Sequence, residues 1–429
     1  MLVYVLKQNG QPFMPTARFG KIRRLLKAKK AKVVRREPFT IKLLYEPETN
    51  VVQECYCGVD TGSRHIGVAV VSNDKVLYQS QTELRNDIKR KMDARRAYRR
   101  NRRSRKTRYR KPRFLNRSNS TKSDRLPPSV KHKVQAHIDE IEFCKKILPV
   151  SDLIIEVSQF DTALMKDPSL ISEKVKHWGY QQGFNYGYSS RREAILHRDN
   201  YTCQCCGKKN CRLEVHHVKF KSNGGTDDEE NLLTLCEDCH KGVHDGTVVL
   251  NKKPKKSKNL KHATHMSIIR SYLLKKYPNA IETLGFVTAE NRNHLNLPKD
   301  HYIDACVIAS GGLEFKKLDV VYRKRRVSIQ DRVLTKGVRG EQKLPTGKIF
   351  GFKKFDKVEY FGETCFIKGR RSSGLFVLMD IDNNSIDLRD RGGNKEPSYK
   401  RIERINTRRS VLCISKRTKR KKKLIPILS

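Results

Sequence analysis

The stretch from Tyr201 to Asp245 concentrates side chains that can bind metal and move protons. Cys203 and Cys206 form one Cys-x-x-Cys pair, and Cys236 and Cys239 form another. Each pair makes a knuckle that offers two thiolates from one side, so the two together suit one tetrahedral zinc. Between the knuckles lie the adjacent His216 and His217, then Asn231; His240 and His244 follow at i, i+4. That last spacing puts both rings on one face of a helix. Imidazole titrates near neutrality, which makes His217 the candidate general base toward water, with Asn231 orienting its ring. His216, His240 and His244 are the candidates to hold one Mg²⁺ (or Mn²⁺) against a scissile phosphate, where it stabilises developing charge. Four cysteines alone describe a structural zinc knuckle with surface histidines. The histidines and asparagine between and after them add the parts of a metal-assisted phosphodiester hydrolase. Cys205 and Cys211 are left over, as substitute zinc ligands or buried thiols.

The elements that must position these groups are short. Residues 211–220 read as a strand, Gly224-Gly225 as a turn, and 228–244 as a loop entering a helix. The expectation is two strands and a helix stapled by zinc. This resembles the HNH (ββα-metal) nucleases, whose spacing Asn231 and His240 match. Relatives often carry Asp at the first position of the histidine pair, which leaves the preferred metal open.

A second set of chemistry-bearing residues is spread along the chain. Cys57-Gly58-Val59-Asp60-Thr61-Gly62-Ser63 ends an apolar strand in a carboxylate and a tight turn, and Ile66–Val71 and Lys75–Ser80 read as two further strands. Asp152–Val157 reads as a buried strand carrying Glu156, and a carboxylate inside an apolar strand is costly unless paired or metal-bound. His301 and Asp304 open a late helix, three residues apart and so on one face. Each signal alone fits an ordinary turn or surface carboxylate. Together they fit one RNase H-like sheet in which Asp60, Glu156, His301 and Asp304 converge on two divalent ions for an in-line phosphodiester displacement.

The rest of the chain is strongly cationic. Its 92 Lys and Arg against 45 Asp and Glu give a formal net charge of +47. Self-repulsion on that scale disfavours a compact free protein and points to a polyanionic partner, nucleic acid before membrane. No apolar run approaches the roughly 18 residues of a spanning helix, and no signal-peptide pattern follows Met1. Twelve cysteines, four of them in the zinc pattern, fit a reducing cytosol.

Between Arg85 and Arg117 about half the residues are Lys or Arg. A helix there carries Arg95, Arg96, Arg99, Arg100, Arg102, Arg103 and Arg105 on every face. Like charges at i, i+4 destabilise a free helix, so it needs phosphate around it. Residues 1–50 read as a small basic α+β unit: a strand at Val3–Leu6, a turn at Gln11–Thr16, a helix at Lys21–Lys30 and a strand at Phe39–Tyr45. Ser129–Leu148 and Ala263–Lys276 have helical periodicity, and Ile281–Thr288 reads as a strand. Residues 316–429 are basic and strand-rich, with Gly347–Phe355, Lys357–Phe361, Thr364–Gly369 and Leu375–Asp380 alternating as in a small β-barrel or twisted sheet.

The order of these parts resembles the IscB family, insertion-sequence-encoded RNA-guided nucleases related to the type II CRISPR effectors. The motifs that carry the resemblance are Pro12-Phe13-Met14-Pro15, Gly58-Val59-Asp60-Thr61-Gly62-Ser63, Ile154-Ile155-Glu156-Val157, His216-His217…Asn231…His240 and His301-Tyr302-Ile303-Asp304-Ala305. They cover residues 1 to about 315; Phe13 replaces the family's usual Leu. The resemblance implies an α/β multidomain chain with a split RNase H-like (RuvC) core. It implies an amino-terminal domain at 1–52, RuvC-like segments at 53–84, 118–160 and 263–318, and an Arg-rich bridge helix at 85–117. The HNH module at 201–246 is inserted between linkers 161–200 and 247–262, and 319–429 is a β-rich domain that reads a short motif beside the target.

It further implies a structured guide RNA, a double-stranded DNA target and a monomer within a cytoplasmic, nucleoid-associated prokaryotic ribonucleoprotein. The HNH module would cut the guide-paired strand and the RuvC-like centre the displaced strand. Base pairing would supply sequence recognition while protein cations follow the backbones. Two other readings stay open at the level of sequence. One is an unguided resolvase or homing-type endonuclease; the other is a non-catalytic RNA-binding protein with a zinc fold.

Overall fold

The computed structural model describes residues 2–47, 51–104, 125–158, 187–223, 225, 227–250, 260–329 and 347–417. The chain forms two compact units, Met1–Ser158 with His265–Ser429, and Gln159–Thr264. Among the described residues no helix is long and apolar enough to cross a membrane.

The first unit opens with a four-stranded sheet of order β2-β1-β4-β3. Its strands are β1 (Val3–Leu6), β2 (Pro12–Thr16), β3 (Ala31–Arg35) and β4 (Thr40–Leu43). Helix α1 (Phe19–Lys27) buries Ile22 against Val3, Val5, Ile41 and Leu43. The stretch expected to be a turn, Gln11–Thr16, is largely the edge strand β2. Pro12 and Pro15 are tolerated there because an edge strand has no partner on its outer side.

A seven-stranded sheet forms the centre, in the order β11-β8-β5-β6-β7-β12-β17. β5 (Tyr56–Asp60), β6 (His65–Ser72) and β7 (Lys75–Glu83) run as an antiparallel meander. After α2 (Ile88–Ser104) and α3 (Pro128–Ile147), β8 (Asp152–Val157) pairs parallel to β5. The chain then builds β9 (Leu213–His217) and β10 (Leu232–Cys236) in the second unit and returns through α6 (Lys261–Lys276). β11 (Ile281–Leu284) pairs parallel to β8. The strand expected to reach Thr288 stops at Leu284, and α7 (Gly285–His294) takes over.

Two layers cover this sheet. On one face Val134, Ile141 and Ile147 of α3 and Ile269 and Leu273 of α6 pack on Val59, Val68, Val70 and Ile155. On the other, α8 (His301–Ser310) packs Ala305, Cys306 and Ala309 against Ala69 and Val71. Strand alternation sends odd and even residues to these opposite faces. The approach of α8 requires Gly58 and Gly67: a Cβ on Gly67 would stand 1.9 Å from His301 O, and one on Gly58 would stand 2.3 Å from Ala305 O.

The segment 319–429, expected as one β-rich domain, divides. β12 (Val320–Arg326) joins β7 in parallel and β17 (Val411–Arg417) joins β12, so both belong to the central sheet. The remainder forms a separate antiparallel sheet of order β15-β14-β13-β16. Its strands are β13 (Lys357–Tyr360), β14 (Glu363–Arg370), β15 (Phe376–Met379) and β16 (Glu403–Asn406). The strand expected over Gly347–Phe355 reduces to a bridge between Ile349 and Phe352.

In the second unit β9 and β10 pair antiparallel, with His217 opposite Leu232 and His216 opposite Leu233. α4 (Arg191–Arg198), inside a stretch read as linker, is capped by Ser190, whose hydroxyl accepts from Glu193 N at 3.2 Å. α5 (Glu237–Asp245) ends at Gly246, whose φ of 80° suits a residue without Cβ. The second strand of this module thus lies within the stretch read as a loop entering a helix. Gly224 lies outside the described residues.

Candidate functional site

The turn after α4 carries Cys203 and Cys206, which meet Cys236 at the end of β10 and Cys239 on α5. Cys203, Cys206, Cys236 and Cys239 place their sulfurs within 4.8 Å of one another, with Cys206 and Cys236 3.6 Å apart. Tetrahedral Zn–S bonds of about 2.3 Å require sulfur separations of about 3.8 Å, so the set is compatible with structural zinc. Burial raises the Cys203 thiol, but the backbone amides of Cys206, Cys236 and Cys205 outweigh it and bring the group down to about 6. That favours the thiolate at Cys203, whereas burial and the neighbouring sulfurs push Cys236 and Cys239 up. Cys205 and Cys211 are exposed thiols rather than buried ones.

The histidines form a second cluster. His216 from β9 and His240 and His244 from α5 have ring centroids 4.7–5.2 Å apart and a ligating atom each within 4.8 Å of the others. His216 is 2% exposed, and its Nε2 has no hydrogen-bond partner among the described residues. Burial, then the neighbouring rings of His240 and His244, lowers its pKa to about 4, so the ring is a neutral ligand at neutral pH. Glu214 Oε2 lies 2.9 Å from His240 Nδ1 and fixes which nitrogen of that ring stays open. Phe220 stacks on His244 and meets His216 edge-on, walling the cluster with an apolar ring. These three residues fit one metal ion. An all-imidazole set suits a first-row transition ion better than Mg²⁺.

His217 stands next to the cluster, partly exposed, with Nε2 2.8 Å from Asp227 Oδ1. Asp227 is also paired with Lys221 at 2.8 Å. Asn231, expected to orient His217, is buried and clamps Lys219 at both ends of its backbone. Its Oδ1 accepts the Lys219 N–H at 2.8 Å and its Nδ2 donates to Lys219 O at 3.1 Å. The ring is held directly by Asp227, while Asn231 fixes the chain just beyond it. Asp227, Glu214 and Phe220 were missed by sequence reasoning. An acid ten residues past a candidate base was the one available signal.

The first unit gathers the other predicted set at the carboxyl ends of β5 and β8. His301 Nδ1 lies 2.6 Å from Asp60 Oδ2. The Thr61 hydroxyl donates to Glu156 O at 2.6 Å, tying the turn after β5 to β8. Burial raises Glu156 to about 6, and the charges of Asp60 and Asp304 add to the effect, so the three carboxyls feel one another. Asp304 is 9% exposed and accepts from Arg292 NH1 at 2.7 Å. The four are looser than the clusters of the second unit, which are the tight groups of ligating side chains among the described residues. His65 stacks on His301 with centroids 5.1 Å apart. Arg292 and His65 carried no sequence signal, since neither lies in a motif.

Arg95, Arg96, Arg99 and Arg100 are exposed on α2, which also carries Arg102 and Arg103; Arg105 lies outside the described residues.

Residues 3–183 match the family model described as RRXRR protein, and α2 contains the run Arg99-Arg100-Asn101-Arg102-Arg103. Residues 203–246 match the HNH endonuclease model. The chain is 29% identical over 66 residues to Anaredoxin of Nostoc sp., covering 15% of this chain and 87% of that protein. It is 31% identical over 98 residues to the type IV methyl-directed restriction enzyme EcoKMcrA of Escherichia coli, covering 21% of this chain and 28% of the enzyme. Among solved structures, Streptococcus thermophilus Cas9 in complex with AGGA PAM aligns at TM-score 0.29 and 13% identity, covering 43% of this chain and 26% of that one. The chain thus spans only about a quarter of the restriction enzyme and of that Cas9. The HNH match and the restriction-enzyme similarity support a DNA endonuclease with an HNH nuclease domain.

Proposed function

We propose that this protein is an RNA-guided, divalent-metal-dependent double-stranded DNA endonuclease with two active centres, as in the IscB family. One observation carries the reading: a second carboxylate–histidine set, Asp60, Glu156, His301 and Asp304, stands in a unit of its own, and the HNH module is inserted in the sequence between the two parts of that unit. The central strands β7-β6-β5-β8-β11 have the order and directions of an RNase H-like core, which supports the split-core assignment. α2 is the proposed bridge helix, and its exposed arginines supply phosphate contacts.

In the HNH module, His217 would accept the proton of the attacking water once its Nε2 leaves Asp227, and Asn231 would keep the strand end in place. His216, His240 and His244 would hold one ion, which when bound stabilises charge on the phosphate. In the other centre Asp60, Glu156, His301 and Asp304 would hold Mg²⁺. Arg292 occupies Asp304 and must share it or let go. The HNH centre would cut the guide-paired strand and the other centre the displaced strand. Much of the +47 charge would then be neutralised by bound RNA.

The test is purification from cells carrying the native locus, sequencing of retained RNA, and cleavage of a duplex matching its variable end. Discrete RNA that directs metal-dependent cleavage supports the reading. RNA-free protein that cuts a defined site supports the unguided resolvase or homing-type alternative.

A further inference from the structure

A cavity of about 280 Å³ lies within the first unit, lined by none of the residues of that unit's carboxylate–histidine centre. The end of β3, α3, β12 and the residues around 406–413 line it. Its volume is just below the roughly 300 Å³ at which small-molecule pockets begin, so it holds one nucleotide-sized group.

Its charges do not balance. Lys324 pairs with Glu140 at 2.6 Å, Arg326 with Asp139 at 2.6 Å, and Lys357 with Glu37. These pairs consume the acids of the lining. Arg35, Arg36 and Arg409 remain, and none has an acidic partner among the described residues. Arg36 donates to Ile405 O at 3.3 Å, and Arg35 lies over the Phe143 ring at 4.7 Å. Burial and the charge of Arg409 both lower the pKa of Arg35, the mark of cations crowded without a counter-charge. An independent observation lies in the same wall. Phe355 is partly buried and holds φ at +70°, a left-handed conformation that a bulky side chain adopts only under constraint and that clusters at functional sites.

We propose that this cavity receives one extruded nucleotide of the bound RNA, its phosphate between Arg35 and Arg409 and its base toward Phe355. Duplex DNA places a base inside such a concavity only at the cost of unpairing and unstacking it, about a few kcal/mol, whereas unpaired RNA nucleotides already splay out and stack on aromatic rings. This rests on the reading of the protein as an RNA carrier.

The experiment uses the full-length chain, stripped of nucleic acid and rebound to the RNA retained by wild type, across a salt series. Arg35→Gln/Arg409→Gln is compared with Arg389→Gln/Arg391→Gln, which removes the same charge from the surface of the carboxy-terminal sheet. The pocket variant is expected to bind at least 10-fold more weakly, each lost charged hydrogen bond being worth about 10-fold. Its log K against log salt slope should flatten by about 0.7, the single-strand value for one phosphate no longer neutralised. Arg409→Gln alone, at an exposed position, should show about half that flattening and guards against misfolding of the double variant. Equal losses in the pocket and surface variants would overturn the proposal while leaving the carrier reading intact. A loss confined to a single-stranded DNA 20-mer would overturn the assignment to RNA. Wild-type protein that retains no RNA would remove the reading beneath it.

Discussion

His301 Nδ1 stands 2.6 Å from Asp60 Oδ2, although 241 residues of chain separate them. Burial raises the Asp60 carboxyl, and the hydrogen bond from Asp60 raises the His301 imidazole. The contact depends on how closely α8 lies on β6, and that closeness depends on Gly67.

Gly67→Ala is therefore expected to damage this centre without touching the HNH module. The new Cβ would meet His301 O, a backbone atom that moves only with the helix. A displacement of about 1 Å at a catalytic group costs on the order of 10²-fold. Cleavage of the displaced strand should fall by that factor while cleavage of the paired strand stays within about 2-fold, as read on end-labelled duplex.

Zinc removal should act on the other unit. Cys236→Ser takes one thiolate from the four-cysteine set, and small zinc modules lose their fold with their metal. Zinc content by atomic emission is expected to fall from about one per chain to less than about 0.2. Paired-strand cleavage should disappear and displaced-strand cleavage persist. Variant protein that kept full zinc would point to Cys205 or Cys211 as a replacement ligand.

The two centres should also differ in metal preference. His216, His240 and His244 offer nitrogen, whereas Asp60, Glu156 and Asp304 offer oxygen beside a single imidazole. Imidazole suits transition ions and carboxylate suits Mg²⁺ and Mn²⁺. With Co²⁺ or Ni²⁺ replacing Mg²⁺, the ratio of paired-strand to displaced-strand cutting is expected to rise at least about 5-fold. An unchanged ratio would contradict the donor assignment.

Acid sensitivity is built into α3. His137 is 0% exposed, with Nδ1 2.8 Å from Lys133 O, and burial lowers it to about 4. Unfolded, the same group titrates near 6.5. Between those values the unfolded chain binds a proton that the folded chain does not, so stability is lost as pH falls from about 6.5 to about 4. The loss amounts to about 3 kcal/mol. Glu140, held below its usual range despite burial by Lys324 and Arg326, adds a further loss below about pH 4.5. His132 of the same helix is likewise lowered to about 4 by burial, so His137→Leu should make the thermal-melting profile shallower in the upper window without flattening it, and leave the lower one.

Much of this was legible in the sequence where a pattern has one physical cause. Thiolate spacing located the zinc set, and the apolar run of Asp152–Val157 matches the observed strand end to end. Other elements were hidden by competing signals. β10 is buried at every position, so it shows no alternation and read as a loop. β12 and β17 are rich in Lys and Arg, and their charge resembled a solvated surface. Yet Lys324 is buried against Glu140, 184 residues away. Arg292 was invisible because its meaning lies in Asp304, twelve residues on and across a helix boundary.

The most direct test of two centres with divided labour is strand-resolved cleavage by His217→Ala and Asp60→Ala proteins, each loaded with the native RNA. The account predicts that His217→Ala leaves the guide-paired strand intact and still nicks the displaced strand, and that Asp60→Ala does the reverse. Loss of both cuts in either variant would contradict it.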